Sequence, residues 1–133
     1  MSREGNPQDW LNTAELDRRA AHILFNKDQF EACVFHCQQA VEKLLKAIIV
    51  QQTNKRPVHA HSLRVLLEEI TGVEINAQIE EAISKIDGYY VGSRYPIDAV
   101  DPGIFIRPLA EFAVQCMEEV FQWFLARIKF GNS

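Results

Sequence analysis

The stretch Phe35-His36-Cys37-Gln38-Gln39-Ala40-Val41-Glu42-Lys43-Leu44-Leu45-Lys46-Ala47 decides the fold, because it carries two helical stripes at once. At about 100° per residue, Phe30, Cys33, Val34, Cys37, Ala40, Val41, Leu44, Leu45 and Ile48 share one side, while Phe35, Gln39, Glu42 and Lys46 lie nearly opposite. A helix predicted over about 28–52 is therefore core on one side and polar on the other. Glu42 and Lys46 stand at i, i+4 in the favourable order, which by itself is worth only a few tenths of a kcal/mol and describes a solvated face. The second stripe needs a further reason.

Working outward, Asn12 with Glu15 three residues on reads as a helix start, and Leu16, Ala20, Ile23 and Leu24 follow at helical spacing to an end near Lys27. Asp28 with Glu31 repeats the capping signal for the central helix, and the short link makes the two helices antiparallel neighbours. Pro57 stops the central helix by removing a donor and driving Arg56 out of helical geometry. Ser62 caps a third helix of about three turns that Gly72 closes. Asn76 starts a fourth, which Gly88 is expected to end. A long irregular stretch follows over 89–103, with Arg94, Tyr95 and Pro96 at its centre; loops of this length in a small domain usually carry function. The last helix starts near Ile104 or Pro108 and runs to Lys129. Its apolar residues span roughly 220° at about 100° per residue, so it is predicted to be buried on two sides, by its own bundle or by a second copy.

The chain has 133 residues, 47% hydrophobic and 24% charged, enough for one folded domain without staples. The expected organisation is a flexible tail at 1–9, an all-α antiparallel up-and-down bundle of four main helices plus a short helix at 10–130, and a short tail at 131–133. A formal net charge of −4 supplies no global field for nucleic acid or acidic membrane. DNA is not an expected partner, and any anion site must be local. No apolar run approaches the roughly 20 residues of a membrane span, and the first residues lack a signal peptide's apolar core. Cys33, Cys37 and Cys116 are odd in number and lie on predicted apolar faces, which suits reduced packing thiols and a cytoplasmic protein. Glycine-rich phosphate loops, nucleophile elbows, zinc-binding HExxH and calcium loops are missing from the sequence. No cofactor or metal is expected. The carboxylates, Glu80-Glu81 and Glu118-Glu119 included, read as solvated surface.

Four pieces in order point to a family. Ala14-Glu15-x-Asp17, Gln38-Gln39-Ala40-x-Glu42-Lys43-x-x-Lys46-Ala47, His61-x-Leu63 and Ser93-Arg94-Tyr95-Pro96 resemble the HEPN domain of bacteria and archaea over about 10–130. The resemblance implies the helical bundle, usually a homodimer, and a role beside nucleotides or RNA, often as partner of a minimal nucleotidyltransferase. Many such proteins are metal-independent ribonucleases with an Arg followed four to six residues later by a His near the start of the last long helix. Here Arg94 and Arg107 precede that helix and no histidine follows His61. Arg56 and His61 have the spacing in the wrong place. The expected function is therefore a non-catalytic binding protein; a ribonuclease toxin of a toxin-antitoxin pair and a purely structural interaction module are the alternatives.

Through the family fold, Lys43, Lys46, His61, Arg94 and Tyr95 are expected to converge on an anion or nucleotide site, with the N-terminus of the third helix offering free N–H groups and a tyrosine offering a ring to a base. Arg94 is expected to be held by Asp17 or Glu42 in a structural polar network.

Overall fold

The path of the chain follows from where its apolar stripes meet. The computed structural model of the chain describes residues 6–57, 59–94 and 105–130, with the backbone alone for 90–94. The described residues form five helices: α1 (Pro7–Asn26), α2 (Phe30–Thr53), α3 (Leu63–Glu68), α4 (Ala77–Arg94) and α5 (Arg107–Arg127). They form an all-α antiparallel bundle of four main helices and one short one, with no strand among the described residues. The axis is α2, which packs against all four others. Val34, Cys37, Val41, Leu44, Leu45 and Ile48 on its apolar stripe are completely buried, beside Met117, Val120, Phe121 and Phe124 of α5 and Ile83 and Ile86 of α4. Cys33 and Cys116 are buried and free as well, so the three thiols act as small apolar side chains.

The ends of the helices differ from expectation in instructive ways. The first helix begins at Pro7, capped by Asn6, whose side chain accepts from the Gln8 N–H at 2.8 Å; Asn12 lies inside the helix and accepts from Gln8 Nε2. Asp28 is not a cap. It takes φ +59° to reverse the chain between α1 and α2, a conformation that Asp tolerates better than most residues. Its carboxylate pairs with Arg107, whose guanidinium also lies over the rings of Phe25 (5.3 Å) and Phe30 (5.1 Å), joining the start of α5 to this turn. Asn54, at φ +58°, ends α2 with its N–H on the Val50 carbonyl at 2.8 Å, three residues before Pro57.

Ser62 and Asn76 do cap α3 and α4, accepting from the Val65 and Ile79 N–H groups. Helix α3 has only six residues, short of the three turns expected, and Gly72 at φ +74° turns the chain after it. Helix α4 does not stop at Gly88 but continues to Arg94. A glycine costs about 1 kcal/mol inside a helix, and Tyr89, packed against the core one residue on, offsets that by burial.

The wide apolar arc of α5 is largely covered by α1, α2 and α4 of the same chain, leaving Phe112 and Leu125 as its large apolar side chains with substantial exposure. Helix α1 is clamped to α5 by Arg18. Its Nε and Nη2 donate to the two oxygens of Glu118 at 2.8 and 2.6 Å, its guanidinium lies 4.8 Å from the Phe121 ring, and His22 Nε2 stands 2.9 Å from the same carboxylate. Glu118 is thus not the solvated carboxylate its helix position suggested. Arg18's hydrogen bonds, followed by that of His22, outweigh partial burial and hold the Glu118 carboxyl down to about 2, from an ordinary 4.5. A carboxyl depressed in the folded state stabilises fully above its unfolded value and loses that contribution as the pH falls through the folded value. The Glu118 contribution should be complete above about pH 4.5 and vanish towards pH 2. It is worth about 1 kcal/mol, since water still reaches the pair. Urea denaturation between these pH values should show Glu118→Gln less stable than wild type at the upper end and equal to it at the lower; a constant difference would contradict the assignment.

Candidate functional site

Gln38, Glu42 and Lys46 succeed one another at four-residue spacing, so they form one row along α2. That row is buried rather than solvated: Gln38 is 0% and Glu42 3% exposed. A buried carboxylate must be neutralised and hydrogen-bonded to persist, and Glu42 is both. Lys46 Nζ donates to its Oε2 at 3.0 Å, Gln38 Nε2 donates to its Oε1 at 3.3 Å, and His61 Nδ1 lies 3.4 Å from Oε2. Gln38 Nε2 also donates to the main-chain carbonyl of His61 at 3.2 Å and so ties the α2–α3 connection to α2. The Lys46 ammonium stands 5.4 Å from the centre of the Trp10 ring, which brings the first turn of α1 to the same place. His59 and His61 meet edge to face, 6.0 Å apart.

A second node lies between α1 and α2. Asp17, buried on the face of α1 that meets α2, accepts from Lys43 Nζ at 2.6 Å and pairs with His36 Nδ1 at 2.8 Å. His36 and Lys43 are seven residues apart on α2, two turns, so the carboxylate is held between them.

The residues expected to converge are therefore shared out. Lys46 and His61 come together on Glu42, and Lys43 goes to Asp17 with His36. The side chain of Arg94 and the whole of Tyr95 lie outside the described residues; the Asp17 and Glu42 carboxylates, expected to hold Arg94, have the partners named above. The N-terminus of α3 is not the free anion cradle expected. Asp87 of α4 accepts from the Leu63 N–H at 2.9 Å and from the Ser62 hydroxyl at 3.3 Å, and Ser62 takes the Val65 N–H, so the positive end of this short helix already has its carboxylate.

Trp10, His36, Gln38 and Asp87 entered no sequence-based site. Gln38 carried a faint signal, a polar residue bordering the apolar stripe of a buried helix. The others act across long separations that no local pattern reports.

Chemically, each lysine of the seam faces a carboxylate, so the cluster offers directed hydrogen bonds and little excess charge. Burial argues against thiol chemistry in the core, where Cys33, Cys37 and Cys116 are almost wholly out of reach of solvent: the hydrogen bond between Cys33 and Cys37 lowers Cys33 and, with burial, holds Cys37 far above its ordinary value, while burial pushes Cys116 up to about 11. Among the described residues no group of His, Cys, Asp and Glu has the geometry to hold a metal, and no helix is long and apolar enough to cross a membrane. A separate cleft of about 350 Å³ is lined by Arg64, Glu68, Glu80 and Glu81 among others, none of them seam residues.

The model of the HEPN domain family matches residues 7–128. Two solved structures are similar over nearly the whole chain. TT1696 from Thermus thermophilus has 24% identity and a TM-score of 0.82, over 92% of this chain and 98% of that one. ST0689, an archaeal HEPN homologue, has 24% identity and a TM-score of 0.76, over 93% of this chain and 98% of that one. At this identity the two structures speak for the fold alone. No curated protein matches.

Proposed function

The chain belongs to the HEPN domain family, and from that premise we propose that it is a binding protein without catalysis of its own, taking up a nucleotide or short RNA, a minimal nucleotidyltransferase partner, or both. The observation that carries the reading is the seam itself: Lys46 and His61 on Glu42, Lys43 and His36 on Asp17, and an indole beside Lys46. Polar side chains fixed in advance by buried carboxylates suit selective uptake of a small polar ligand. Arg94 and Tyr95 stay in the proposal as further ligand contacts. The sequence supports the non-catalytic part, since no histidine follows Arg94 or Arg107, where the family places its Arg-His pair. We place the protein in the cytoplasm, where thiols such as Cys33, Cys37 and Cys116 stay reduced.

Two copies associate in this reading. Leu16 and Ile23, 58% and 59% exposed and one heptad apart on α1, support it together with Phe112 and Leu125.

The test is calorimetric titration of ATP, GTP and a short RNA into wild type and a Lys43→Ala/Arg94→Ala variant. Binding should weaken in the variant and with added salt, because exposed charges are screened beyond about 8–10 Å at physiological ionic strength. No heat for any ligand, or equal affinity in both proteins, leaves partner binding alone. Light scattering on the same samples should give twice the 15.2 kDa of one chain.

One observation favours the ribonuclease reading as the second. His61, five residues after Arg56, has its Nδ1 beside a buried carboxylate, an arrangement that orients a catalytic imidazole. RNA cleavage that His61→Ala abolishes would select it.

A further inference from the structure

The negative excess of the chain is concentrated in one place. Residues 65–84 contain Glu68, Glu69, Glu74, Glu80 and Glu81 and no lysine or arginine, so this segment alone accounts for the net charge of −4. All five side chains are exposed. Asp17, Asp28, Glu42 and Glu118 each hold a cation, whereas none of these five carboxylates has an ion-pair or hydrogen-bond partner among the described residues. Like charges gathered without partners repel, and an incoming cation relieves that repulsion. Glu68 of α3 and Glu80 and Glu81 of α4 line the cleft of about 350 Å³, in which Leu67 and Ile83 supply an apolar wall. Arg64 lines it as well, and it too has no ion pair among the described residues, although Glu68 stands four residues on.

These groups select an occupant. No set of acids among the described residues has the geometry to hold a metal ion, so the charge is spread for an extended organic cation. An apolar wall beside carboxylates suits the aliphatic stem of a lysine or arginine whose head seeks the charge. The Arg64 guanidinium only donates and therefore asks the occupant for an acceptor. A main chain offers its carbonyls, and a polyamine has none.

We propose that the cleft between α3 and α4 docks a basic segment of a partner protein: a lysine or arginine side chain goes to Glu68, Glu80 and Glu81, and a neighbouring main-chain carbonyl takes the Arg64 guanidinium. This rests on the partner-binding half of the function proposed above and deepens it; the nucleotide at the seam takes no part. Charges at the rim of such a contact set its partner choice and its salt dependence more than its raw affinity.

The experiment is calorimetric titration of a capped hexapeptide of alternating arginine and leucine, and of spermine, into wild type and three variants. Glu80→Gln/Glu81→Gln should bind the peptide about five- to tenfold more weakly, the worth of two exposed ion pairs, and added salt should narrow the difference. Glu31→Gln/Glu111→Gln, the same change of charge on other helices, should leave the affinity as it was. Arg64→Ala carries the sign that decides the occupant: the cleft becomes more negative, so spermine should bind more tightly, while the peptide loses its carbonyl donor and binds more weakly. The thermal midpoint of Glu80→Gln/Glu81→Gln should equal or exceed that of wild type, because repulsion is removed. No heat from the peptide in wild type overturns the proposal. So does an equal loss in Glu31→Gln/Glu111→Gln, spermine bound by wild type as tightly as the peptide, or a peptide that Arg64→Ala binds more tightly. A lower midpoint in Glu80→Gln/Glu81→Gln would show that these carboxylates serve the fold, and overturns it equally. AMP titrated into the same proteins reads the seam separately, so that failure of the cleft and failure of the nucleotide site are told apart.

Discussion

Glu42→Ala should destabilise the protein by about 3–5 kcal/mol, the cost of removing one partner from a buried ion pair. The substitution strands Lys46, whose side chain is only 12% exposed, and removes the acceptor for one Gln38 donor. It also releases the ring of His61. In a chain of this size such a loss corresponds to a fall of roughly 10–20 °C in the thermal midpoint. The same residue pair read as a solvated i, i+4 contact would be worth only a few tenths of a kcal/mol, so the measurement separates a buried node from a surface one by an order of magnitude. Replacing Glu42 and Lys46 together by leucine should recover most of the loss, because the uncompensated charge disappears with its partner. A fall below about 1 kcal/mol for Glu42→Ala would place this pair among ordinary surface salt bridges.

Phe121→Ala should be of similar size, about 3–5 kcal/mol, for a different reason. Phe121 is completely buried on α5 within the core cluster, so truncation leaves a cavity whose walls, mostly helices, relax only in part. It also removes the ring beneath the Arg18 guanidinium, which should loosen α1 from α5. Urea denaturation gives the magnitude. Amide exchange in α1 should then rise more than in α4, and equal changes in the two helices would show that the Arg18 clamp does not depend on the ring.

The bundle was legible because its signals are local and repeated. The apolar stripe of α2, the Ser62 and Asn76 caps and the turn at Gly72 all act within a few residues of themselves. Asp28 and Gly88 were misread because their conformations are settled by other parts of the chain: Arg107, 79 residues away, holds Asp28, and core packing carries α4 through Gly88. The site was legible in its residue types and not in its pairing. Lys46 found Glu42 at i+4, as helical geometry requires, but Lys43 took Asp17 across 26 residues and Arg18 took Glu118 across 100, choices that only the packed helices determine. Burial was misjudged for the same reason. A polar stripe opposite an apolar one looks solvated until α1 and the α2–α3 connection close over it.

The central claim is that the seam between α1, α2 and the start of α3 takes up a nucleotide or short RNA. Its most direct test is a titration of uniformly ¹⁵N-labelled protein with AMP and with a short RNA, followed by amide and side-chain shifts. The account predicts saturable changes concentrated at Trp10, His36, Lys43, Lys46 and His61, with the region around Arg64 and Glu81 unmoved. Changes centred on Arg64, Glu80 and Glu81, or none at ligand concentrations well above those of a cell, would contradict it.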